Sequence, residues 1–176
     1  MGGAVAVESQ PGGGTTFWVE LEGERAHADG KRHAEKQYEI NLQLEDQKAF
    51  QGRNFLIAED NAINAEILCE LLAMRGAKAD VQTDGVKAVR AFSQAQPGVY
   101  DAILMDIQMP EMNGYAATRA IRELDRPDSA AIPIIAMTAN AFAEDVQASL
   151  AAGMTAHVAK PIDMGVLRDT LARVLN

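Results

Sequence analysis

The chain has 176 residues and a formal net charge of −9, from 25 acidic against 16 basic side chains, and a field of that sign disfavours direct binding to nucleic acid or anionic membrane. A composition of 48% hydrophobic and 23% charged residues excludes disorder and collagen-like repeats, and Cys69, alone, excludes an internal disulfide and suits a reducing compartment. No apolar run reaches the roughly 18 residues of a membrane span and the N-terminus lacks a secretory pattern, so the expected location is cytoplasmic.

In chain order, Ala4 to Glu8 and Thr15 to Leu21 alternate apolar and polar side chains across Gln10-Pro11-Gly12-Gly13-Gly14. That pattern predicts a β-hairpin within residues 1–25. An isolated hairpin is marginal in water, so this one reads as a piece of a larger sheet. Residues 26–52 are mainly polar and read as a linker, with one short alternation at Tyr38, Ile40, Leu42 and Leu44 that suits an extra strand or an amphipathic connector. The run Pro11 to Thr15 is no phosphate-binding loop, because the Gly-Lys-Ser/Thr ending is missing.

From residue 53 to 176 short apolar runs alternate with helical periodicity. The predicted strands are Phe55 to Ala58, Ala79 to Gln82, Ala102 to Met105, Ile132 to Met137 and Ala156 to Ala159. Between them Ile63, Ile67, Leu71 and Met74 follow the helical period, as do Ala117, Ile121 and Leu124, then Phe142, Val146 and Leu150, then Met164, Leu167, Leu171 and Val174, with a weaker helix from Gly85 to Ala95. The result is an α/β domain of five βα units, its parallel sheet covered by helices on both faces.

Ligands of an open α/β sheet gather beyond the C-terminal ends of its strands. There the sequence puts Glu59 and Asp60, then Asp106, then Thr138, then Lys160-Pro161. Three converging carboxylates repel one another unless a cation compensates, and an all-oxygen donor set suits Mg²⁺. Asp60 and Asp106 are the expected direct ligands, with Glu59 acting through water and the Gln108 backbone carbonyl adding an oxygen. Asp106 beside such a metal stays ionised and is a nucleophile toward phosphorus, while Lys160, the Thr138 hydroxyl and the Ala139 N–H serve the phosphoryl oxygens. The bland readings fit other residues: Met109 to Gly114 forms a turn into a helix cap, Met105, Met109 and Met112 pack, and His157 fills a partly buried strand position.

Glu59-Asp60-Asn61, Met105-Asp106-Ile107-Gln108-Met109-Pro110, Thr138-Ala139 and Lys160-Pro161, in that order, resemble the receiver domain of two-component response regulators. The resemblance implies a flavodoxin-like, CheY-like doubly wound sheet in order 2-1-3-4-5, with Asp106 as the phosphorylated aspartate and Glu59, Asp60 and Asp106 as the Mg²⁺ site. It also implies a switch made by Thr138 and by the residue three before the lysine. That residue is usually aromatic and here is His157. Gln108 and Asn140 flank the phosphoryl site and should tune hydrolysis.

Residues 1–25 are similar to the last hairpin of a histidine-kinase ATP-binding domain without its ATP lid. The whole therefore reads as the C-terminal piece of a hybrid histidine kinase: hairpin 1–25, linker 26–52, receiver 53–176. As it stands it would be a phosphoacceptor rather than an enzyme, ending without an output domain. The implied partners are a histidine-kinase phosphodonor and a histidine-containing phosphotransfer protein docking at Ile63, Asn64 and Ile67, with a weak dimer allowed and the parent kinase free to be membrane-anchored. Competing classes are a receiver-like binding module working without phosphorylation and an aspartyl-phosphate phosphatase. The second needs another aspartate two residues beyond the nucleophile, where Gln108 stands.

Overall fold

Parallel pairing dominates the computed structural model, which describes residues 3–10, 14–21, 48–139 and 143–175 in two compact units. In the first unit β1 (Gly3–Gln10) and β2 (Gly14–Leu21) pair antiparallel, with Gly3 opposite Leu21 and Gln10 opposite Gly14. The predicted hairpin is thus present. Ala6 stands opposite Trp18, and both are exposed, as is Val7. The alternation at Tyr38 to Leu44 and the helix residue Phe142 lie outside the described residues.

The second unit runs β3 (Asn54–Ala58), α1 (Ala62–Ala73), β4 (Lys78–Gln82), α2 (Gly85–Gln94), β5 (Ala102–Asp106), α3 (Gly114–Arg122), β6 (Ile134–Thr138), α4 (Ala143–Ala151), β7 (Ala156–Ala159) and α5 (Met164–Val174). Its five strands lie parallel in the order β4-β3-β5-β6-β7, which is 2-1-3-4-5 counted from β3. β5 and β6 are buried throughout, which explains their unbroken apolar sequences, whereas β4 at the edge exposes Lys78, Asp80 and Val81. β6 starts at Ile134, later than the sequence suggests, because Pro133 has no N–H to give a ladder. It also runs one residue further, to Thr138, as β5 runs to Asp106.

Alternation along each strand divides the core between two sheet faces. Phe55, Ile57, Leu104, Ile135 and Met137 pack with Leu68 and Leu72 of α1 and Leu167 and Leu171 of α5. Leu56, Ile103, Met105 and Ile134 pack with Ala88 and Phe92 of α2 and Ala117 and Ile121 of α3. Phe50, just ahead of β3, is buried and meets Phe55 edge-on with ring centroids 5.6 Å apart.

Helix α1 corrects one implication of the periodicity. The stripe Ile63, Ile67 and Met74 faces outward, at 67%, 51% and 70% exposure, while Ala65, Leu68 and Leu72 face the core. The helix is apolar on two sides, so the period alone does not say which stripe enters.

Tyr100, in the loop ahead of β5, donates its Oη–H to Asp80 Oδ2 of the edge strand at 2.7 Å. Burial, and after it the Asp80 carboxylate, pushes the phenol up to about 12. An unfolded tyrosine titrates near 10, so this contribution to stability is complete below about pH 10 and is lost as pH rises toward 12. Tyr100→Phe is expected to cost about 0.5–1 kcal/mol at neutral pH. The gap to the parent should close between about pH 10 and 12 in urea unfolding; a gap that stays constant would show that the phenol proton contributes nothing.

Candidate functional site

Strand ends at a common rim build the site. The ladder puts Asp106 beside Met137 and Thr138 beside Ala159, and the backbone N–H of Lys160 donates to Thr138 O at 2.7 Å, so β5, β6 and β7 finish level. Glu59 prolongs β3, its N–H donating to Gln82 O at 2.9 Å. The chain then turns into α1, whose free N–H groups at Ile63 and Asn64 are capped by the Asn61 side chain.

Lys160 Nζ stands at the centre, 2.6 Å from Glu59 Oε2 and 2.7 Å from Asp106 Oδ2. The other oxygens are also engaged: Asn64 Nδ2 donates to Glu59 Oε1 at 3.1 Å, and the Gln108 N–H donates to Asp106 Oδ1 at 3.1 Å. Glu59 and Asp106 are buried and Asp60 is exposed at the mouth, and the three offer carboxylate oxygens within 4.8 Å of one another. Burial pushes the Asp106 carboxyl above the usual aspartate range, against the pull of Lys160. Burial lowers the Lys160 ammonium, but its hydrogen bonds to Asp106 and Glu59 outweigh this and the net direction is up.

Three carboxylates and one ammonium leave the rim with two formal negative charges, and all the side-chain groups that converge there to bind a cation are oxygens. That donor set fits a hard divalent cation such as Mg²⁺. The cleft around it, about 400 Å³, is also walled by Gln108, Thr138 and Ala139. One cleft thus gathers Glu59, Asp60, Asp106, Gln108, Thr138, Ala139 and Lys160. Asn140 lies outside the described residues. His157 is half-buried on β7 beside Ala136, back from the rim.

The loop after Asp106 is held at both ends. Gly114 N–H donates to Ile107 O at 2.9 Å and Gly85 N–H to Met112 O at 3.2 Å, while the Asn113 side chain caps α3. Neither glycine has room for a side chain: a Cβ on Gly114 would lie 2.2 Å from Asp106 O, and one on Gly85 2.4 Å from Met112 O. Met105 is buried, and Met109 and Met112 pack against the same cluster, which settles the methionines as packing residues.

A second, apolar hollow of about 190 Å³ adjoins the cleft, between Ile67, Leu68 and Leu71 of α1 and Pro161 and Ile162. Glu59, Asn64 and Lys160 line both. The Asn64 bond to Glu59 and the bridging of Glu59 and Asp106 by Lys160 are site contacts that sequence reasoning missed; the only signal of the first is an amide one helical turn beyond a strand-end acid.

Residues 55–172 match the family described as response regulator receiver domain. Over 126 residues the chain is 36% identical to the peroxide stress-activated histidine kinase mak1 of Schizosaccharomyces pombe, covering 71% of this chain and 8% of that protein. Over 174 residues it is 32% identical to the sensor protein EvgS of Escherichia coli, covering 99% of this chain and 13% of EvgS. The chain therefore spans a small fraction of the curated relatives it matches.

Among solved structures, the receiver domain of the sensor histidine kinase PA1611 from Pseudomonas aeruginosa superposes with a TM-score of 0.63 at 38% identity, covering 70% of this chain and 98% of that one; it carries a magnesium ion in its active-site cleft. The receiver domain of the Saccharomyces cerevisiae response regulator Ssk1, crystallised with the histidine phosphotransfer protein Ypd1, superposes with a TM-score of 0.63 at 28% identity, covering 70% of this chain and 88% of that one.

Proposed function

Since the chain belongs to the response regulator receiver domain family, we propose that Asp106 accepts a phosphoryl group from a phosphohistidine in a phosphorelay, in a step that requires Mg²⁺. The observation that carries this is the Lys160 ammonium held 2.6 Å from Glu59 and 2.7 Å from Asp106, in a cleft where Asp60 completes an acidic triad. An Asp106 carboxylate oxygen forms a bond to phosphorus as the phosphorus–nitrogen bond of the donor imidazole breaks, and the released imidazole takes a proton.

Mg²⁺ would be held by Asp60, Asp106 and the Gln108 carbonyl, with Glu59 acting through water, and it supplies charge neutralisation for the phosphoryl oxygens. Lys160, already at Asp106 Oδ2, would add a second positive charge for the same oxygens. The Thr138 hydroxyl and the Ala139 N–H, from residues that line the cleft at the end of β6, would bind them after transfer. Gln108 and Asn140 would set how fast water reaches the aspartyl phosphate. Movement of Thr138 toward the phosphoryl group would free space behind it for His157, remodelling the face formed by β7 and α4.

The phosphodonor or acceptor would be a histidine-containing phosphotransfer protein seated on the exposed apolar stripe of α1 and the hollow beside it, at Ile63, Asn64 and Ile67. The Ypd1 complex of the Ssk1 receiver supports this partner class. Within a longer chain, residues 1–25 would be the last hairpin of a kinase ATP-binding domain, 26–52 the linker and 53–176 the receiver, a non-enzymatic phosphoacceptor in the cytoplasm. Alignment with EvgS over 99% of this chain supports the hybrid arrangement. No helix of the described residues is long and apolar enough to cross a membrane.

Intact-mass spectrometry after incubation with acetyl phosphate tests the reading. One phosphoryl group should be gained in Mg²⁺ and none in EDTA. Ile67→Asp should keep that gain yet accept at least about tenfold more slowly from a phosphorylated phosphotransfer protein, since a charge in an apolar docking contact costs more than 1.4 kcal/mol. A protein that stays folded and unmodified with both donors would leave only a binding module.

A further inference from the structure

We propose that Asn64 is a positioning residue of the metal cleft, its side-chain amide fixing Glu59 so that the acidic triad keeps its spacing; the inference rests on the Mg²⁺ reading above. Glu59 is 2% exposed, and a buried carboxylate needs a donor for each oxygen. Lys160 takes Oε2, but the same ammonium also holds Asp106 at 2.7 Å and is drawn on by any phosphoryl group that arrives there. Asn64 takes Oε1 at 3.1 Å.

The amide is aimed by the helix that carries it. Asn64 lies in the first turn of α1, and its backbone N–H is bonded to the Asn61 cap at 3.1 Å, so the turn that caps the helix also sets the side chain against Glu59. Facing a carboxylate, the NH₂ end must point inward, since the carbonyl end would be repelled. A neutral donor matters here. A second ammonium would satisfy Glu59 equally well but would repel the cation the triad is shaped to hold, whereas an amide orients the acid at no cost in charge.

Asn64 also borders the apolar hollow, which separates this role from partner contact by experiment. Isothermal titration with MgCl₂ is carried out on the parent, Asn64→Ala, Asn64→Gln and Ile67→Ala, with the melting temperature of each measured in EDTA. Asn64→Ala should bind Mg²⁺ about tenfold more weakly, the low end for loss of an outer-shell partner, and should melt a few degrees lower in EDTA because one Glu59 oxygen loses its donor. Asn64→Gln, which keeps the amide, should recover most of the affinity, and Ile67→Ala should bind as the parent does. Parental Mg²⁺ affinity in Asn64→Ala overturns the inference, as does a weakening that is not rescued by glutamine. A parent that binds no Mg²⁺ overturns the underlying reading of the cleft instead.

Discussion

Asp106→Asn is expected to gain no phosphoryl group from acetyl phosphate under conditions where the parent gains one, and to melt in EDTA no lower than the parent. The amide keeps the shape of the carboxyl and can still accept from the Gln108 N–H, so the loop after β5 has no reason to move. It removes the nucleophile, because an amide oxygen does not displace the acetate of acetyl phosphate from phosphorus. It also removes a charge whose burial disfavours ionisation, which is why its carboxyl lies above the usual range. Lys160 keeps Glu59 at 2.6 Å, so the ammonium is not left unpaired. A retained phosphoryl gain would move the acceptor to another side chain; a lost gain with a collapsed melting temperature would mean that Asp106 serves chiefly to hold the rim together. Calorimetry beside mass spectrometry separates the three results.

The site was legible because its chemistry sits at punctuation marks of the chain. Glu59, Asp106, Thr138 and Lys160 each end an apolar run, and a parallel sheet brings all such ends to one rim. Five short strands and the helical spacings between them therefore carried both the fold and the cleft. Periodicity failed where two answers satisfy it: α1 has apolar residues on two faces, and only packing shows that Leu68 and Leu72 go inward while Ile63 and Ile67 stay out. It also carried no information on pairs set by side-chain reach. The bond from Asn64 to Glu59 and the sharing of Lys160 between two acids depend on angles at the strand ends, which spacing does not encode. Crowding around Gly85 and Gly114 was equally silent, since in sequence each is only a glycine near a helix start.

That silence gives Gly114→Ala its value, because helix propensity and local packing predict opposite signs. Gly114 is the first residue of α3, and in an open helix alanine is favoured over glycine by about 1 kcal/mol. Here the added Cβ would lie 2.2 Å from Asp106 O and 3.0 Å from both Asp106 C and Ile107 Cα. All three are backbone atoms, which cannot swing aside as a flexible side chain does. Overpacking of this kind costs about 1–3 kcal/mol or more, so the clash wins and the variant should melt roughly 10 °C below the parent. The relief must come from moving the carbonyl of the residue that carries the nucleophile. Phosphoryl acceptance should therefore fall by about 100-fold even at temperatures where the variant is folded, as a displacement of about 1 Å suffices for that. Gly85→Ala is the informative companion: its clash is with Met112 O, further along the loop, so it should destabilise while leaving Asp106 more nearly in place. If Gly114→Ala instead melts above the parent and is phosphorylated at the parental rate, the close approach of α3 to Asp106 is not a constraint on the acceptor.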